Sequence, residues 1–470
     1  MTQNRLYLFF RLMTCYLLVA SSAFALNSTW IGGATGSWTT AANWSAGIPQ
    51  AAGDTATINT AATITVPTSI TVRTVTVNAP VTLTVSSGMT LAFSNAGADV
   101  IVAAADLLID GDGALTFSRN GTSDTDFANI KPVAGVTVTL AARITGVDGA
   151  GVELNSVGTV LLTNPNNSFT GLSRISTANG TLAFSHPGAL GLTGIRLDGS
   201  PARVVYVGSD AAALSLPVQI TAGTSIFENA GSGTLTLSGV IAPVSSGGKT
   251  LTFLGTTQTN ELTGSISNGS GSLTVVAGSG TLLFNGTLTD SSLMATMGAN
   301  LVFGSATVSQ ARALSLNSGA TFTVNPVLSD GYTLTLPLTN TLAGAGVRMV
   351  FPPAPTAATV TIPCLMRSTD ATFDIAAFAI GTARSTVLIQ NFSAGPLPSW
   401  FTVNGQPAAY DAMLGVVPLA ATGGVVSLSA LGPSTIYDDA TANAVIDTAG
   451  TGGGIGRSEE RRGGKECRSR

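Results

Sequence analysis

Gly158-Thr159-Val160-Leu161-Leu162, Gly180-Thr181-Leu182-Ala183-Phe184, Gly233-Thr234-Leu235-Thr236-Leu237 and Gly280-Thr281-Leu282-Leu283-Phe284 share one pattern. Gly271-Ser272-Leu273-Thr274-Val275 repeats it with Ser in place of Thr. The first two copies start 22 residues apart (180 − 158). A turn glycine, a Thr or Ser and an inward apolar residue, returning at such an interval, point to coils of a parallel β-solenoid. Each coil buries its apolar face against the coils above and below and is unstable alone.

The surrounding sequence has a period of two. Thr63-Ile64-Thr65-Val66, Val72-Arg73-Thr74-Val75-Thr76-Val77 and Val81-Thr82-Leu83-Thr84-Val85 alternate apolar and hydroxyl residues. So do Thr234 to Leu237, Thr250 to Phe253 and Thr333 to Leu336. Alternation suits half-buried strands, and β-branched Thr and Val favour extended backbone. Gly-Ser, Asn-Gly and Gly-Gly pairs cut the runs apart. Ala103 to Leu108 is the one helix candidate. Many short strands would suit a sandwich as well, but the recurrence favours a solenoid. If residues 55–420 form coils of about 22 residues, roughly 16 or 17 coils result. At about 4.8 Å per coil they make a rod on the order of 80 Å.

Composition agrees. The 470 residues are 44% hydrophobic and only 9% charged, with 55 glycines. Stacked like charges repel, so a low charge content suits ladders, and Asn can ladder through its amide. The formal net charge is −4, which excludes a generally basic nucleic-acid binder.

The two ends stand apart. Residues 1–25 read as a signal peptide: Arg5 and Arg11, the apolar Leu12 to Ala20, and Ala23-Phe24-Ala25 as a small-x-small cleavage site. The apolar stretch is too short to span a membrane comfortably, so no membrane insertion by the mature region is expected. Residues 457–470 hold six basic and three acidic side chains and read as a non-native tail on a chain cut short. Residues 26–456 then carry 12 basic and 21 acidic residues (12 − 21 = −9). Charge alone should bind neither nucleic acid nor anionic lipid. Of three cysteines, only Cys364 lies between the two ends, and it reads as a small buried hydrophobe.

Residues 27–58 carry the sharpest local motif: Thr29-Trp30-Ile31-Gly32-Gly33, Gly36-Ser37-Trp38, Ala41-Ala42-Asn43-Trp44-Ser45, Pro49 and Gly53-Asp54-Thr55-Ala56. It resembles the opening of large bacterial surface proteins with autotransporter-associated β-strand repeats. Leu161-Leu162-Thr163, Asn164, Asn167 to Gly171, Gly180-Thr181-Leu182 and Pro187 to Gly191 look like one such repeat. The match departs from the family pattern at Leu172-Ser173, where a second Gly and Thr are common. Pro398 to Gly405 and Ala409-Tyr410-Asp411 resemble a segment that punctuates such arrays. The resemblance covers most of residues 27–430. It implies an all-β fold, a right-handed parallel β-helix, on the bacterial surface or secreted, with adhesin-like, autotransporter passenger-like or structural roles. It implies no enzymatic activity.

The expected organisation is a signal peptide (1–25), a Trp-rich N-terminal cap (26–58), the parallel β-helix array (59–430), a Gly-rich linker or start of a truncated following region (431–456), and the tail (457–470). Large rings in the first coil would cover its apolar face and unpaired edge. Their rival role is a carbohydrate platform. Trp400 reads as a packed corner.

Chemistry is sparse. His186 is the only histidine, which excludes a multi-His metal site within one chain and disfavours a His-based triad. Asp106, Asp110, Asp112, Asp124 and Asp126 form the densest acidic patch. Asp110-Gly111-Asp112-Gly113 resembles a calcium loop but lacks the bidentate Glu. Paired carboxylates drawn from Asp110, Asp112 or Asp126 could serve a glycosidase. A lyase would add a base, with Arg119 and Lys131 as the nearby cations. Solvated turn aspartates are the plainer expectation, for this patch and for Asp438-Asp439. Gly450 to Gly456 lacks the Lys-Ser/Thr of a phosphate loop. No catalytic, cofactor-binding or metal-binding residue is therefore assigned, and no cofactor is expected. Surface glycans or proteins are the expected partners. A polysaccharide-active lyase or hydrolase, or a carbohydrate-binding module, is the alternative.

Overall fold

The computed structural model describes residues 25–96, 99–119, 127–147, 150–255, 259–296, 298–304, 308, 310–324, 332–351, 357–377, 380, 385–419, 425–427 and 443–445. The signal segment up to Phe24 and the tail 457–470 lie outside these residues, as does 431–456 apart from the strand Asn443–Val445.

The chain is an all-β parallel solenoid of about 14 turns. No described helix is long and apolar enough to cross a membrane. Two compact units are distinguished. One holds Met1–Glu153, Gly158–Val160 and Asn166–Gly171; the other holds Leu154–Val157, Leu161–Pro165 and Leu172–Arg470.

In the first unit the coils contribute strands to three sheets, the first coil to two of them. Ala62–Val66, Val81–Val85, Leu107–Asp110 and Thr137–Leu140 stack in parallel on one. Thr55–Ile58, Thr74–Val77 and Asp99–Ala103 lie on a second, and Ile70–Val72, Thr90–Ala96 and Ala114–Arg119 on a third. Ile64, Leu83, Ile109 and Leu140 stand in register and are fully buried. Outside, Thr63 faces Thr82 and Thr65 faces Thr84. Phe93 and Phe117 stack inside at 5.5 Å.

The second unit repeats the scheme. Phe227 stacks on Phe253 at 6.0 Å, and Phe284, Phe303 and Phe322 form a column at 6.1 and 5.1 Å. Each such pair adds roughly 0.5–1.5 kcal/mol beyond the area it buries. Here the parallel order is interrupted by an antiparallel segment, and Val425–Ser427 pairs in parallel with Asn443–Val445 beyond it. Phe401–Val403 pairs antiparallel with Gln406–Asp411, which also pairs with Gly395–Pro396 and Gly415–Pro418. The sequence motif at Pro398 to Asp411 thus coincides with a change of strand direction.

Four expectations need correction. The recurring Gly-Thr-Leu motif marks strand starts rather than one point per coil: Thr181–Phe184 and Ser272–Ala277 lie on one sheet, Leu235–Leu237 and Thr281–Phe284 on another. Coil length is not fixed near 22: Val276 stands on Met294 (294 − 276 = 18) and Leu107 on Val138 (138 − 107 = 31). Corners of variable length explain the smaller number of turns. The helix candidate Ala103 to Leu108 is a bend between Asp99–Ala103 and Leu107–Asp110. The run Val72 to Val77 is two strands, split at exposed Arg73, whose N–H bonds Asp54 O at 2.8 Å.

The motif glycines answer to close approach rather than to turn geometry. A Cβ on Gly158 would lie 2.5 Å from Val133 O, on Gly180 2.8 Å from Ser156 O, and on Gly271 2.5 Å from Ser245 O. Of the five motif glycines only Gly280 has a positive φ, 68°. Asparagines mostly clamp backbone at the corners. Asn391 and Asn404 each both donate to and accept from one residue's main chain, Leu365 and Ala377. One amide-to-amide rung joins Asn78 to Asn59 at 2.8 Å.

Candidate functional site

The N-terminal tryptophans form the most elaborate side-chain cluster of the first unit. Trp30, Trp38 and Trp44 are 2%, 0% and 3% exposed. Trp44 lies 5.2 Å from Trp30, edge to face, and 4.8 Å from Trp38. Buried indoles need acceptors. Trp30 donates to Gly33 O at 3.2 Å, Trp38 to Pro49 O at 2.9 Å, and Trp44 to Trp38 O at 2.7 Å. Gly32 and Gly36 make room: a Cβ on either would fall within 3.0 Å of the Trp30 ring.

The same segment occupies a strand edge. Asn27–Thr29 pairs on one side with Thr55–Ile58. On its other side Ser45 N donates to Thr29 O, and Thr29 N donates to Ser45 Oγ, at 2.9 and 3.0 Å. Ile31 N donates to Asn43 O at 2.8 Å, and Asn43 Nδ2 to Ser37 O at 3.0 Å. Asp54, 5% exposed, ties the loop down by accepting from Leu26, Gln50 and Ala51 N–H groups. Sequence reasoning quoted Asp54 without seeing this role. The carbohydrate-platform reading of these rings is overturned, because a sugar needs an open ring face and none of the three has one.

Among the described residues the acidic patch does not converge. Asp106 is exposed and accepts the Thr137 N–H at 2.8 Å. Asp110, half-buried, stands opposite Thr84, and Asp112 is exposed in the following bend. Lys131 pairs with Asp99 at 2.8 Å instead. Asp124, Asp126, Asp438, Asp439, Gly450 to Gly456 and the Arg119 side chain lie outside the described residues. An open groove of about 470 Å³ crosses the outward column Thr63, Thr82, Leu108 and Thr139, with Asp106 as its one carboxylate. Two-carboxylate hydrolysis needs a second. No group of three His, Cys, Asp or Glu side chains suited to a metal occurs among the described residues.

His186 is exposed and structural: its Nδ1 accepts the Gly188 N–H at 3.1 Å at the start of the short turn Pro187–Leu190. Trp400 is a half-buried corner against Phe401 and Phe392, with the Arg367 guanidinium 5.2 Å above its ring. Cys364 is buried in the core, as expected of a small hydrophobe; Cys15 and Cys467 lie outside the described residues.

One charged cluster escaped sequence reasoning. Arg174 and Arg196 stand directly opposite each other in the ladder. Asp198 reconciles them, accepting from both Nε atoms at 2.6 and 3.0 Å. Burial pushes the Asp198 carboxyl up, but Thr221, Arg196 and Arg174 together outweigh it and hold the carboxyl below its usual value. A depressed folded pKa contributes stability above the usual carboxylate range, lost as pH falls through the folded value. Asp198→Asn is therefore expected to destabilise the chain at pH 7 by about 2 kcal/mol. The penalty should begin to shrink as pH falls below the usual carboxylate range, where the unfolded chain takes up the proton first, and vanish through the folded value. Urea titrations of both forms at pH 7 and pH 3 measure this, and an equal gap at both values would refute it.

No protein-family model, no curated protein and no solved structure matches this chain.

Proposed function

We propose that this chain is an exported, non-catalytic β-solenoid of a bacterial surface or secreted protein, an adhesin-like or structural stalk of autotransporter passenger type. The observation that carries the reading is the outward ladder. Thr63–Thr82, Thr65–Thr84 and Thr224–Thr250–Thr274 present the same hydroxyl at successive coils. Such columns offer a repeated, weakly charged surface for many shallow contacts, where catalysis requires one converging constellation. Residues 26–58 act in this reading as the cap of the first coil, with Asn43-Trp44-Ser45 occupying an edge that would otherwise accept a foreign strand.

The test is expression of the full chain in a Gram-negative host, followed by fractionation and N-terminal sequencing. The expected result is a chain starting at Leu26, recovered outside the cytoplasm. Purified material should bind components of a surface glycan and protein panel without shortening any glycan. A chain kept whole in the cytoplasm would defeat the export claim. Glycan cleavage would defeat the non-catalytic one.

A further inference from the structure

Asn-Gly pairs are chemically labile. Glycine lacks the Cβ that shields its own nitrogen, so that nitrogen can reach the preceding Asn carbonyl. The described residues contain four such pairs: Asn179-Gly180, Asn268-Gly269, Asn285-Gly286 and Asn404-Gly405. Three have their amides held. Asn268 accepts from Leu273 N and Ser291 Oγ and donates to Asp290 O. Asn285 donates to Glu261 at 2.7 Å. Asn404 is clamped twice by Ala377, and its Gly405 N–H is engaged by Asp374 at 2.9 Å.

Asn179 differs. It is exposed, and its side chain makes no hydrogen bond among the described residues. Asn404 shares its exposure and its left-handed backbone (φ 64° at Asn179, φ 50° at Asn404), a region that L-residues enter at a cost, so it is the unheld amide that sets Asn179 apart. The Gly180 N–H that must act as nucleophile is only weakly engaged, by Thr177 O at 3.4 Å. We infer that Asn179-Gly180 is a site of spontaneous covalent modification, selected by the fold from among the four pairs.

The step balances with water alone. Gly180 N, deprotonated by hydroxide, attacks Asn179 Cγ; the new C–N bond closes a succinimide as ammonia leaves. Water then opens the ring at either carbonyl, giving aspartate or isoaspartate. Isoaspartate routes the main chain through the side chain and lengthens the corner. That corner carries two ladder bonds, Asn179 N to Pro201 O at 2.7 Å and Arg203 N to Gly180 O at 3.1 Å. Modification therefore adds a negative charge and loosens one rung.

The test incubates the full chain at pH 8 and 37 °C and follows peptides by mass spectrometry. Trypsin isolates Asn179 as the only Asn between Arg174 and Arg196. Freeing a bonded amide costs about 1 kcal/mol, so Asn179 should convert about fivefold faster than the other three. A chain held in denaturant should lose this preference and convert all four at similar rates. The modified folded chain should also exchange its Arg203 amide hydrogen faster. Asn179 remaining intact while any of the other three converts, or no folded-state preference relative to the denatured control, would overturn the inference.

Discussion

Replacing Trp38 by alanine is expected to cost about 4 kcal/mol, and to spend that loss locally. The ring is completely buried, packs at 4.8 Å on Trp44, and satisfies Pro49 O. Its removal leaves a cavity beside Trp44 and takes the indole donor from Pro49 O. In a solenoid each coil couples only to its neighbours, so the damage should not spread evenly. Hydrogen exchange should show faster loss at Trp30, at Thr63 and at the new alanine in position 38, whose N–H groups bond Thr57, Ala34 and Thr65. Thr321, bonded to Ala299 in the second unit, should keep its protection. If residues 26–58 seal the first edge, the variant should also self-associate on a sizing column. A uniform loss of protection, or none, would show that the tryptophans do not close the first coils as an integral part of the stack.

Gly233→Ala should be nearly as damaging, by a different route. The added Cβ would collide with the backbone carbonyl of Asp210, and it would lie 2.6 Å from Ala211 N. These are main-chain atoms of the coil beneath and cannot swing aside. Overpacking of this kind costs about 3 kcal/mol. Gly33→Ala is the control, because its Cβ would meet nothing within 4 Å and its φ is not positive. Chemical denaturation of both variants, followed by circular dichroism, should separate them clearly. Equal stabilities would mean that the motif glycines merely punctuate the sequence.

Much of this architecture is legible in the sequence alone. Thr63 to Val66 and Val81 to Val85 alternate without a phase slip, and each forms one strand with its apolar residues inside. Val72 and Val75 are an odd number of residues apart, so one continuous strand cannot bury both; that slip was a visible mark of the corner at Arg73. The glycine of the repeated motif was recognised for the wrong reason, since the backbone of the neighbouring coil does not appear in a local window. The same limit hid Asp198, which lies 24 residues from one of its arginines. The three tryptophans stand out in the sequence, and all three are buried. Whether their faces open to solvent or close on one another depends on the fold that Asn43 and Ser45 complete, and composition carries no sign of it.

The variable corners leave the fold tolerant of insertion. Most strand pairs keep register while coils range from 18 to 31 residues, the shift at Asn129/Ile130 being an exception, so a change of length at a bend can leave the hydrogen-bonded ladder intact. The bend at Gly135, with φ 79° and open space around its Cα, is such a place. A short epitope grafted at Gly135 should therefore be carried on the surface of an otherwise unchanged coil.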